Sequence, residues 1–136
     1  MKSMVITCLG ILALLLMGIR PEAGEKMSSV GLACDTIAQV ERFAEVVGET
    51  RDPMQALDVV NEEFDDPERN VLACVIVEMM YERGEKVSEK KILGGVIETY
   101  EATIFAHQRN GRWVRIAPIT QYLPFFVPKV ARGTAI

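Results

Sequence analysis

Few side chains in this sequence could do chemistry, and the cysteines come first. There are three, Cys8, Cys34 and Cys74, and a single histidine, His107. A cysteine nucleophile must be free and activated by a neighbouring base. A thiol oxidoreductase needs the close CxxC spacing, whereas Cys34 and Cys74 lie 40 positions apart. Two cysteines and one distant histidine also fall short of a zinc ligand set, so no metal is expected. Cys8 belongs to an apolar stretch, Met4 to Ile19, that reads as an export signal. Losing it with the signal leaves an even pair in an oxidising compartment. That arithmetic favours one disulfide, Cys34 to Cys74, over two buried reduced thiols. Closing so long a loop is worth about 4 kcal/mol in the chain-entropy model.

Other constellations are thinner. His107 sits at the end of an expected strand beside a turn, which suits a surface histidine. No serine has a nucleophile-elbow context. Asp65, Asp66 and Glu68 cluster near Glu62 and Glu63, without the order or the glycine of a calcium loop. Glu98 and Glu101 fall on opposite faces of one strand and make no acid–base pair. Gly94-Gly95 lacks phosphate-loop spacing and suits a bend at the start of a strand. The expectation is a non-enzymatic chain with no cofactor.

The formal charge is −4, from 15 basic and 19 acidic residues. Acidic residues dominate Glu41 to Glu85. From Ile104 onward the chain carries Arg109, Arg112, Arg115, Lys129 and Arg132 and no acidic residue. Such a basic third meets an anionic partner, faces the chain's own acidic half, or simply solvates a sheet. Export argues against nucleic acid as that partner.

Lys2, the uncharged run Met4 to Ile19 and the breaker Arg20 to Gly24 are the parts of a secretory signal. As a helix the run reaches about 24 Å, short of the roughly 30 Å hydrocarbon core. Residues 1–24 are therefore expected as a signal peptide, with membrane contact only if it stays uncleaved. Residues 25–33 read as a flexible lead-in and 34–130 as a single α+β domain.

The elements follow from local signals. Thr36 with Gln39 fits a capping box, and Ile37, Val40, Phe43, Ala44 and Val47 form a helical apolar stripe that Gly48 would end. Asp52, Pro53 and Gln55 open a second helix carrying Leu57, Val60 and Phe64, which Asp65-Asp66-Pro67 would stop. The short link predicts an antiparallel helical hairpin. Val71 to Tyr81 reads as a buried strand, Arg83 to Lys86 as a turn and Ser88 to Lys91 as loop. Gly94 to Gln108 and Arg112 to Ile119 then alternate as strands around Asn110-Gly111, the preferred pair for a type I′ hairpin. The tail Tyr122 to Pro128 has two prolines, so it is an edge strand or an extended segment. The expected fold is α+β, with two N-terminal helices packed on a three- to four-stranded antiparallel sheet and one disulfide.

Cys34-Asp35-Thr36, Gln39 to Phe43, Val60 to Glu63, Ala73-Cys74, Arg83-Gly84 and Pro124 to Val130 resemble a family of small uncharacterised exported proteins of alphaproteobacteria. The resemblance implies the export signal, the small size and the cysteine pair. The family carries no assigned activity.

Two functions are thus expected. The first is a periplasmic or secreted non-enzymatic interaction module that binds an envelope protein or component through its sheet face and aromatic tail, with Phe125 and Phe126 as the docking surface. The second is a small-ligand-binding periplasmic protein with a pocket between helices and sheet, lined by Tyr100, Phe105 and Trp113.

Overall fold

The computed structural model describes residues 24–69 and 71–129. The order of elements is β1 (Lys26–Cys34), α1 (Ile37–Thr50), α2 (Pro53–Glu63), β2 (Cys74–Ile92), β3 (Gly95–Arg109) and β4 (Arg112–Pro128). The helices therefore follow a strand and are not N-terminal, which corrects the expected fold. Residues 25–33 are not a loose lead-in, because all but the first belong to β1. That strand is hard to see in the sequence. Ser28, Ser29, Gly31 and Ala33 give it little apolar bulk, and its conformation comes from nine paired positions on β2. The expected signal peptide lies outside the described residues, apart from Gly24.

Both helices start as their residues dictate. The Thr36 hydroxyl accepts from the Gln39 amide at 3.3 Å, and the Gln39 side-chain oxygen accepts from the Thr36 amide at 2.9 Å. Each satisfies a backbone donor that the first turn leaves open. Helix α1 runs past Gly48 and ends at Thr50. Arg51, at a left-handed φ of 58°, closes it by donating its amide to the Val47 carbonyl at 2.8 Å. Asp52 then caps α2 by accepting from Met54 and Gln55, with Pro53 in the first turn. Two residues separate the helices. The Arg42 guanidinium grips Glu63 through two hydrogen bonds of 2.7 and 2.9 Å, so the start of α1 lies beside the end of α2 and the pair is antiparallel.

The four strands form one antiparallel sheet in chain order. It curls until β1 meets β4 at Cys34 and Tyr122, closing a barrel. Strands of 19, 15 and 17 residues are far longer than the usual five or six, and they must bend to close so few strands. Register shifts at Met80/Tyr81, Arg83/Lys86 and Lys86/Ser88 on β2, and at Ile104/Ala106 on β3, supply the bends. Strand β2 therefore absorbs the expected turn at Arg83 to Lys86 and the expected loop at Ser88 to Lys91. Strand β4 likewise absorbs the tail. Its prolines are tolerated because, among the described residues, its outer side is paired only at Tyr122. Asn110 and Gly111, at φ of 52° and 78°, make the expected β3–β4 turn. Gly95 is required by packing, since a Cβ there would overlap the Val127 carbonyl oxygen.

Alternation along the strands gives the sheet two buried faces. On one, Leu32, Cys34, Cys74 and Ile97 meet Val40, Phe43, Ala44, Val46, Val47, Ala56 and Val60 of the helices. On the other, Ala33, Met79, Tyr81, Tyr100, Ala102, Ile104, Leu123 and Phe125 fill the inside of the curl.

Candidate functional site

Cys34 and Cys74 stand directly opposite each other at the end of β1 and the start of β2, with Cα atoms 4.1 Å apart, and are joined by a disulfide. The bond ties strand to strand, not the start of a helix to the sheet. Everything between the two cysteines is the helical excursion, so the disulfide closes its neck. A second clamp lies alongside. Asn61 of α2 accepts from the Cys74 amide at 2.8 Å and donates to the Cys74 carbonyl at 3.0 Å. One side-chain amide thereby satisfies both backbone groups of that residue, as a neighbouring strand would. The Asp35 amide donates to the Ala73 carbonyl at 3.1 Å, and Gln121 of β4 donates to the Asp35 carboxylate at 2.9 Å. Cys34 and Cys74 are both essentially buried.

Phe125 and Phe126 do not form the expected docking surface. Phe125 is 7% exposed and meets Tyr100 edge to face at 5.5 Å, while Phe126 packs against the helical core. Adjacent strand residues point to opposite faces, and both faces of this sheet are covered at that level. Nor do Tyr100, Phe105 and Trp113 share a pocket. Tyr100 lies under the Arg83 guanidinium at 4.4 Å, the Lys26 ammonium sits over Phe105 at 5.4 Å, and Trp113 is partly exposed near the β3–β4 turn. His107 pairs across the sheet with Met79 and Val114, and its ring lies 3.4 Å from the Gln108 carbonyl. Glu98 and Glu101 are on opposite faces, as alternation requires; Glu98 is buried and Glu101 exposed. Asp65, Asp66 and Glu68 are exposed beyond α2. Among the described residues no group of three or more His, Cys, Asp or Glu side chains is arranged to hold a metal.

One polar cluster is absent from the sequence reading. The Tyr100 hydroxyl donates to Glu98 at 2.8 Å, and the Lys86 ammonium lies 3.7 Å from Glu98 and 3.3 Å from Glu89. Glu89 and Glu98 face each other across β2 and β3, a costly pairing of like charges that Lys86 bridges. The Glu89 hydrogen bond, followed by the field of both carboxylates, pushes the Lys86 ammonium's pKa above its ordinary value. One ammonium thus faces two carboxylates, and the Tyr100 hydroxyl gives Glu98 a further hydrogen bond. The cluster was hidden because Arg83 and Lys86 read as a turn, where no partner across a sheet would be sought.

Two concavities accompany these residues. One, of about 640 Å³, opens where β2 turns into β3 beside the end of β4; Ile92, Leu93, Val96 and Val127 line it between Lys91 and Lys129. The other, of about 330 Å³, is lined by Arg83, Gly84, Glu85 and Glu101 among others.

Exposed aromatic, aliphatic and basic side chains come together on the hairpin arm, the stretch of β3 and β4 from about Ala106 to Thr120 around the Asn110-Gly111 turn. On the arm Trp113 and Ile119 are 39% and 46% exposed, and neighbouring Met80 of β2 is 41% exposed. Arg109, Arg112 and Arg115 are also exposed, and none makes an ion pair with a described residue. Between Arg112 and Gln121 the outer edge of β4 has no strand beside it among the described residues. Ala106 pairs with Arg115 and Ile104 with Ile119, so Ile116, Ala117 and Pro118 bulge out of the ladder. The sequence did mark this stretch as basic, but its aromatic weight was assigned to the tail. No family model, no curated protein and no solved structure matches the chain.

Proposed function

We propose that this chain is an exported, non-enzymatic interaction module that docks an envelope protein through the outer half of the β3–β4 hairpin. The observation carrying this reading is the pairing of exposed Trp113 and Ile119 with three arginines that make no ion pair with a described residue. Aromatic residues and arginine are the types enriched where proteins bind one another. Export is supported by the apolar run Met4 to Ile19, by the disulfide and by the resemblance to exported proteins. No helix among the described residues is long and apolar enough to cross a membrane. A non-enzymatic role is supported by the polar cluster, in which Glu98 is held by Tyr100 and Lys86.

The test is site-specific photo-crosslinking in the native envelope. A crosslinker at position 113 should give discrete adducts, and one at Asp58 on the exposed side of α2 should give none. Adducts at 58 and none at 113 would overturn the reading. One observation favours a second function, a small-ligand binder: the cavity beside Leu93 has a volume within the small-molecule range. It lies at the end of the sheet, not between helices and sheet. Native mass analysis of the exported protein should then show a bound small molecule that a bulky residue at Val96 expels.

A further inference from the structure

Resting on that reading of the arm, we infer that the partner supplies an acidic extended segment that adds to the free edge of β4 as a further strand. The backbone comes first. In a two-residue hairpin the pair flanking the turn exchanges both hydrogen bonds, and such pairs then alternate along the ladder. Arg112 flanks the turn opposite Arg109, so residues 112 and 114 bond to β3. Residues 113 and 115 turn their N–H and C=O groups outward, to an edge with no described neighbour. An extended peptide satisfies such an edge through main-chain bonds.

Charge then selects the occupant. Arg112 projects from one face of the ribbon together with Arg109, and Arg115 projects from the other. A second copy of this arm would bring arginines against arginines, and the bulge at Pro118 shortens the edge available for pairing. Both are devices that keep exposed edges from pairing with themselves. An acidic strand meets the opposite condition, because carboxylates on either of its faces find a guanidinium. No acidic residue of this chain lies between Ala102 and Lys129 to compete. Trp113, beside Arg115 on one face, covers the apolar part of the added strand.

Trp113 is the single tryptophan, so its emission reports the site directly. The probes are a seven-residue peptide alternating Glu and Val, the same peptide with Lys in place of Glu, and phosphatidylglycerol vesicles. The Glu peptide should shift Trp113 emission to shorter wavelength and slow exchange of the 113 and 115 amides; the Lys peptide should do neither. Arg115→Gln removes only charge and should weaken binding about three-fold. Arg115→Pro also removes an outward N–H, at a position where β3 loses no bond, and should weaken it at least about ten-fold. Equal loss in the two variants, or a response to vesicles without a response to the Glu peptide, would overturn strand addition. Crosslinks at position 113 that persist in either case would leave the docking surface standing and remove only its occupant. Absence of those crosslinks removes the surface itself.

Discussion

The two ends of this sheet are built for different ends. At the neck, β1 and the start of β2 are covered by two helices, crossed by a disulfide and clamped by Asn61. Along the arm, β3 and β4 pair with each other, and Trp113, Arg112 and Arg115 face outward. Both regions use the same antiparallel ladder. The difference lies in what fills the faces of that ladder, and it separates residues that hold the fold from residues free to meet a partner.

Breaking the neck should give the largest effects. Phe43, with no exposed surface, is the bulkiest fully buried side chain between helices and sheet, and Phe43→Ala should cost about 4 kcal/mol by urea denaturation. The double change Cys34→Ala with Cys74→Ala should lower stability by a similar amount, about 4 kcal/mol, and leaves no free thiol at the neck to complicate the measurement. Asn61→Ala strands two backbone groups of Cys74 and should cost about 2 kcal/mol. On the arm, Arg112→Gln should shift stability by less than about 0.5 kcal/mol while reducing crosslinks from position 113. A large loss of stability there would erase the contrast between the regions.

The acid response sharpens the same contrast. Hydrogen bonds from Arg42 hold the Glu63 carboxyl below its ordinary value of 4.5, and those from Lys90 and then Arg42 do the same for Glu45. A depressed carboxyl contributes stability that is present above pH 4.5 and lost as pH falls through the lowered value. Both groups lie at the surface, so the loss should be small. In an acid titration followed by circular dichroism, the helical signal should loosen at a pH where the arm, which lacks carboxylates, does not respond. Replacing Arg42 by Met should abolish the Glu63 share of that loss.

How much of this was legible in the sequence depended on how local the cause was. Thr36 with Gln39, Asp52 with Pro53, and Asn110-Gly111 each act over two to four residues, and each sits where those residues require. The disulfide was legible by count. Strand β1 was not, because Ser28, Ser29 and Gly31 have no strand preference apart from the β2 strand they pair with. In the charged second half of β2, Arg83 to Lys86 looked like a turn and Ser88 to Lys91 like a loop for the same reason: β3 makes them a strand, and two register shifts there let it bend. Phe125 and Phe126 looked like a patch because their sequence did not show that the curled sheet has core on both sides. The arm's basic character was visible, but its freedom from pairing depends on where β1 ends.

Native-state hydrogen exchange tests the separation of neck and arm most directly. Amides of Ala33, Phe43 and Cys74 should exchange only by full unfolding, with free energies equal to the global value. Amides of Arg112 and Val114, although bonded to β3, should open by a smaller, local fluctuation and remain fast when the neck is intact. Protection at Arg112 and Val114 as high as at Ala33 would contradict the account, because the arm would then be part of the frame and not the part that the frame presents.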